Sequence, residues 1–124
     1  NLDTLVHLVG TPFMPDLDGA VLFVEDVHKG GVEVSRELLH LRLSGHLSRL
    51  AGVVIGEFED EPKDVESRVP SIEDVVVEFF ADGPPCAYGY SFSHGPLTSP
   101  IPIGAPCDLD ADTGDVRFDF RMAT

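Results

Sequence analysis

Glu25 and His94 are the residues of this chain whose types could do chemistry together. Glu25 ends the apolar run Ala20-Val21-Leu22-Phe23-Val24, and His94 lies in Tyr90-Ser91-Phe92-Ser93-His94-Gly95-Pro96. A carboxylate and an imidazole, each delivered at a strand edge, are two parts of a nucleophile, base and orienting-acid system. The acid fixes the ring, and the ring takes the nucleophile's proton. The third part is missing. There is no G-x-S-x-G elbow, Ser35 and Ser71 stand where helix caps are expected, and Ser93 adjoins His94 too closely to face its ring easily. Cys86 and Cys107 have no local activating signature.

Both residues also have plainer readings. Glu25 and Asp26 could cap or solvate a loop, and a lone histidine is often exposed or satisfied by a backbone carbonyl. Only one of the two adjacent acids is expected to point inward, because successive strand side chains face opposite ways. The remaining histidines carry less. His7, His40 and His46 fall in helical segments without an H-E-x-x-H arrangement, and His28 sits in a loop without matched partners. Asp108-Leu109-Asp110-Ala111-Asp112-Thr113-Gly114 places acids at alternate positions, as a calcium loop does. Its glycine is one place late, however, and Asp119 stands where a closing Glu is required. A strand with outward acids entering a hairpin is the better reading. No cofactor and no metal is expected.

The elements that must position the pair follow from the pattern. Leu2, Leu5, Val6, Leu8 and Val9 recur at near-helical spacing, closed by Gly10-Thr11-Pro12. The unbroken apolarity of Ala20 to Val24 predicts a strand covered on both faces and central in its sheet. Ser35 is expected to cap a helix from Arg36 to Leu50, with Gly45 weakening its middle and Arg36, Glu37, Arg42 and Arg49 solvated. Gly52-Val53-Val54-Ile55-Gly56 predicts a second buried strand, which makes a parallel β-α-β unit. Residues 57–70 are acidic and bracketed by prolines, as in a mobile surface loop. Ser71-Ile72-Glu73-Asp74 is a capping box that opens a helix burying Val75, Val76, Phe79 and Phe80. Cys86-Ala87-Tyr88 predicts a third short strand, and residues 105–121 an antiparallel hairpin turning at Asp112-Thr113-Gly114-Asp115.

A chain of 124 residues is sized for one domain, 1–124, and 43% hydrophobic with 24% charged residues fits a globular protein. No apolar run is long enough to span a bilayer, so no membrane partner is expected. Eight basic against 22 acidic residues give a formal charge of −14, which repels a phosphate backbone and argues against nucleic acid. Two cysteines in unrelated contexts suggest reduced thiols and a cytoplasmic location. Asn1-Leu2-Asp3-Thr4 has no initiator Met and no signal-peptide features, so a fragment or processed product is expected.

The blocks Gly10-Thr11-Pro12-Phe13, Pro15-Asp16, Val21-Leu22-Phe23-Val24-Glu25-Asp26-Val27, the Leu39 to Leu47 helix, Ala51-Gly52-Val53-Val54-Ile55-Gly56-Glu57-Phe58, His94-Gly95 and Ile101-Pro102-Ile103-Gly104 occur in one order. In that order the chain resembles the C-terminal domain of the LD-carboxypeptidases, a serine peptidase family. The resemblance covers nearly all of the chain. It implies an α/β domain of the swivelling β/β/α three-layer class, with a parallel β-α-β core plus an antiparallel hairpin. It also implies a two-domain enzyme that releases the terminal D-alanine of muropeptide tetrapeptides in peptidoglycan recycling, and a homodimer is carried over from the family. The nucleophilic serine would lie in an N-terminal domain preceding Asn1, and Glu25 and His94 would complete a Ser-His-Glu triad.

The chain departs from the family pattern in two places. Gly31-Val32-Glu33-Val34-Ser35-Arg36 replaces a Tyr-Arg-Ile-Asp-Arg-like run, and Leu97-Thr98-Ser99-Pro100 replaces an Asn-Leu-Thr-Leu-like one. Two other readings stay open. One is the microcin-immunity branch, which uses the same triad on a different acyl-amide. The other is a non-catalytic acidic binding domain of the same fold.

Overall fold

The computed structural model describes residues 1–59 and 69–120. Asn1 starts the first helix, α1 (Leu2–Leu8), by accepting the Thr4 N–H on its side chain at 3.0 Å. Gly10, at φ +82°, ends it with the left-handed residue that the sequence provides. The chain continues through β1 (Val21–Val27), α2 (Gly31–Leu43), β2 (Gly52–Glu59), α3 (Ile72–Phe80), β3 (Cys86–Tyr90), β4 (Cys107–Asp110) and β5 (Asp115–Phe118).

Strands β1, β2 and β3 form a parallel sheet in that order, and β4 and β5 form an antiparallel hairpin. Alternation decides what each sheet face meets. Leu22, Val24, Val53 and Ile55 join Leu38, Leu41, Ile72 and Val76 in one buried cluster, so the helices cover that face. Each such side chain contributes about 1.5–3 kcal/mol on burial. On the opposite face Phe23 meets Phe118 of β5 with ring centroids 5.7 Å apart. A Cβ on Gly52 would stand 2.7 Å from Leu109 of β4, so glycine admits the hairpin there. Hairpin, sheet and helices make the three β/β/α layers.

Several local expectations are corrected. β1 is an edge strand and β2 the central one. Unbroken apolarity reports that both faces are covered and says nothing of lateral neighbours. α2 begins at Gly31, with Gly30 as its cap and Ser35 inside it, and stops at Leu43. Gly31 has no Cβ because one would lie 2.1 Å from the Pro70 carbonyl oxygen, which brings the start of α2 against the start of α3. Gly45, at φ +86°, ends α2 instead of weakening its middle. The His46 N–H reaches the Leu41 carbonyl at 3.0 Å, and the Gly45 N–H reaches that of Arg42 at 3.0 Å. Leu39 and Leu43 are exposed, and the buried stripe of α2 is narrow, with Val34, Leu38 and Leu41.

Glu57, Phe58 and Glu59 continue β2, while residues 60–68 of the expected loop lie outside the described residues. The Ser71–Asp74 capping box is present as read, and α3 buries Ile72, Val75, Val76 and Phe80. No helix among the described residues is long and apolar enough to cross a membrane.

Candidate active site

The sheet changes register where the candidate residues stand. β1 and β2 pair evenly from Val21 with Gly52 to Val24 with Ile55, and then Asp26 pairs with Phe58. Glu25 alone therefore spans Gly56 and Glu57. β3 shifts at the same level: Tyr88 pairs with Ile55 and Tyr90 with Gly56, leaving Gly89 at φ +89° as the extra residue. Such bulges re-aim side chains beside sites.

Glu25 and Asp26 leave β1 toward opposite faces, and because both faces are covered, both are buried. The expectation that only one acid turns inward fails for that reason. Glu25 faces the hairpin side, where its Oε2 lies 3.0 Å from Nδ1 of His94. Its Oε1 lies 3.2 Å from the Asn1 backbone nitrogen. A carboxylate only accepts, so Nδ1 of the neutral ring carries the proton and Nε2 keeps its lone pair. The His94 side chain is 59% exposed, against 11% for Glu25. A buried acid thus holds an accessible ring in the tautomer that suits a base.

The loop that delivers His94 is seated by Phe92 and Ser91. The Phe92 ring packs edge-on to Phe23 at 5.4 Å, and the Ser99 N–H donates to the Ser91 carbonyl at 2.8 Å. Ser93 is buried, and its Oγ has no hydrogen-bond partner among the described residues. Ser93 thus makes no hydrogen bond to the ring, as a nucleophile would.

Asp26 faces α1. It accepts from Asn1 Nδ2 at 3.0 Å, the Asp3 N–H at 2.9 Å and its neighbour Val27 N–H at 2.8 Å. Beside it, Lys29 donates to Asp3 Oδ1 at 2.9 Å and Glu37 Oε1 at 2.6 Å. Burial works to lower the Lys29 pKa, but the bonds to Glu37 and Asp3 outweigh it and hold the ammonium above its ordinary range. Burial pushes the Glu37 carboxyl up despite the pull of Lys29, and its Oε2 is buried without a hydrogen-bond partner among the described residues. The Lys29 bond holds Asp3 below the usual carboxylate range. Glu37, expected to be solvated, is therefore part of a clasp joining α1, the loop after β1 and α2. Nothing in the local sequence marks it.

The other candidates take structural roles. Asp110 accepts the Asp112 and Thr113 N–H groups at 3.0 and 3.1 Å, which lowers its pKa and makes it a turn cap in the hairpin. Among the described residues no group of three His, Cys, Asp or Glu could hold a metal. Cys86 and Cys107 are free thiols, and burial pushes both up, away from the reactive thiolate.

A carboxylate and an imidazole bonded at the carboxyl ends of a parallel sheet have the chemistry that a nucleophilic hydrolase requires of two of its three groups. Residues 1–109 match the family model described as the LD-carboxypeptidase C-terminal domain, and the chain belongs to that family. A Bacillus subtilis protein named a probable murein peptide carboxypeptidase is 30% identical over 111 residues, covering 89% of this chain and 35% of that protein. The crystal structure of muramoyltetrapeptide carboxypeptidase from Oxalobacter formigenes superposes with a TM-score of 0.84 at 30% identity, over 95% of this chain and 42% of that one. The microcin C7 self-immunity protein MccF, an Escherichia coli protein, in complex with aspartyl sulfamoyl adenosine, gives a TM-score of 0.75 at 25% identity, over 94% of this chain and 35% of its own. The chain thus spans between 35% and 42% of the length of these relatives.

Proposed function

We propose that this chain is the acid and base half of a serine LD-carboxypeptidase that releases the terminal D-alanine of muropeptide tetrapeptides in peptidoglycan recycling. The observation that carries the reading is the 3.0 Å bond between Glu25 Oε2 and His94 Nδ1. Nε2 of His94 takes the proton of a serine hydroxyl as that oxygen attacks the scissile carbonyl, and then gives it to the departing D-alanine nitrogen. In the second half-reaction Nε2 takes a proton from a water whose oxygen attacks the acyl carbonyl, and returns it to the serine oxygen as the acyl–oxygen bond breaks. Glu25 holds the Nδ1–H tautomer throughout and stabilises the imidazolium between the two transfers.

The serine and the oxyanion donors belong, in this reading, to an N-terminal domain of the same polypeptide. The protein works in the cytoplasm as a homodimer. A second reading, in which an acyl-sulfamoyl nucleoside is the substrate, draws support from the likeness to MccF. The two are separated by offering the longer protein an L,D-tetrapeptide and aspartyl sulfamoyl adenosine side by side. Release of D-alanine from the first, with little turnover of the second, is expected. Residues 1–124 alone should release none, and measurable release by them would overturn the divided site.

A further inference from the structure

Resting on the proposed Glu25–His94 pair, we infer that Gly56 is a positioning residue: its missing side chain seats the Phe92 ring, and the seated ring sets where the loop holds His94 against Glu25. Gly56 is not among the left-handed glycines of the chain, so its backbone conformation does not demand glycine. Space demands it. A Cβ built there would lie 2.9 Å from Phe92 Cζ, 3.1 Å from Cε2 and 3.2 Å from Cε1. These three atoms are the tip of the ring, so the ring stands end-on against the backbone of β2.

The ring has little freedom to yield. Phe23 packs edge-on to it at 5.4 Å, and Phe118 backs Phe23 at 5.7 Å. The chain leading into Phe92 is tied twice. The Phe92 N–H donates to the Tyr90 carbonyl at 3.2 Å and the Ser99 N–H to that of Ser91 at 2.8 Å. Ser93, between Phe92 and His94, is buried and leaves little slack. Carbon atoms pack at about 3.5–4.0 Å, so an added Cβ must drive the ring back by about 0.5 Å or more. A bond of 3.0 Å between Nδ1 and Oε2 does not survive that displacement two residues away.

The direct readout is the tautomer of His94, measured by long-range nitrogen–proton NMR on residues 1–124 with the ring neutral. The unaltered chain should show Nδ1–H. Gly56→Ala should shift the ring to the Nε2–H form that a free imidazole favours, and adding Phe92→Leu, which vacates the tip of the ring, should restore Nδ1–H. Phe92→Ala adds no bulk to the sheet and should also lose Nδ1–H, which covers the case in which Gly56→Ala fails to fold. In the longer enzyme Gly56→Ala should lower kcat about 100-fold with KM nearly unchanged. Retention of Nδ1–H in a folded Gly56→Ala or Phe92→Ala chain would overturn the inference. An unaltered chain without Nδ1–H would instead overturn the Glu25–His94 pair itself.

Discussion

Glu25 and Asp26 are chain neighbours, both buried at the end of one strand, and they do different work because the sheet separates them. Asp26 accepts three N–H groups, from the Asn1 amide and from two backbone positions. None of those donors titrates, and each is fixed by α1 or by β1 itself. Glu25 shares its second oxygen with an imidazole that is mostly exposed. Burial of a carboxylate therefore does not separate structure from chemistry. What separates them is whether the partner can exchange a proton and be reached from outside.

The largest effect that tests this contrast should come from the hairpin side of the strand. His94→Ala or Glu25→Gln in the longer enzyme should lower kcat by about 10³–10⁴-fold. His94→Ala removes an exposed ring but leaves the buried Oε2 of Glu25 without its donor, so the free energy of urea unfolding should fall by only about 1 kcal/mol. Near-normal turnover in either variant would collapse the contrast.

On the helix side the order reverses. Asp26→Ala should cost about 3 kcal/mol in urea unfolding, because three donors lose their acceptor. Its kcat per folded molecule should fall far less than that of Glu25→Gln.

Lys29→Met should cost about 2 kcal/mol at neutral pH, since Asp3 and Glu37 lose their shared cation. The pH dependence has a definite sign. The Lys29 pKa is higher in the folded chain than in the unfolded one, so its contribution is complete below the unfolded value of about 10.4 and is lost as pH rises beyond it. The stability gap between the wild-type chain and Lys29→Met should stay constant from neutral pH to that point and then close. Ser71→Ala, remote from both acids along the chain, should cost about 1 kcal/mol and leave turnover untouched.

The sequence made legible what is local or marked by residue type. The Ser71–Asp74 box lies within one turn, and the acid closing an apolar strand and the histidine beside a glycine were visible as types. The family resemblance supplied their roles. What stayed hidden depends on the third dimension. Ser35 has the chemistry of a cap, but Gly31 must approach Pro70, so α2 starts earlier with a bare Gly30. The apolar run of β1 has the composition of a central strand because hairpin and helices cover it, although it stands at an edge. The Lys29–Glu37 clasp joins a loop to a helix interior. Gly56 did carry a signal, since it follows Gly52 by four residues on one face of a strand. That spacing marks two places where the covering layer reaches the sheet backbone.

The bulge at Gly89 reaches beyond this chain. Tyr88 and Tyr90 are two apart in sequence, yet they pair with consecutive residues of β2, so the extra glycine sends them to opposite sides of the sheet. Tyr88 is left exposed, whereas the Tyr90 hydroxyl donates to the Gly114 carbonyl of the hairpin. A strand one residue shorter would keep nearly the same composition and launch the His94 loop from the wrong side. In aligning relatives or grafting this domain onto another nucleophile, the count of residues between Ala87 and His94 binds as tightly as their identities.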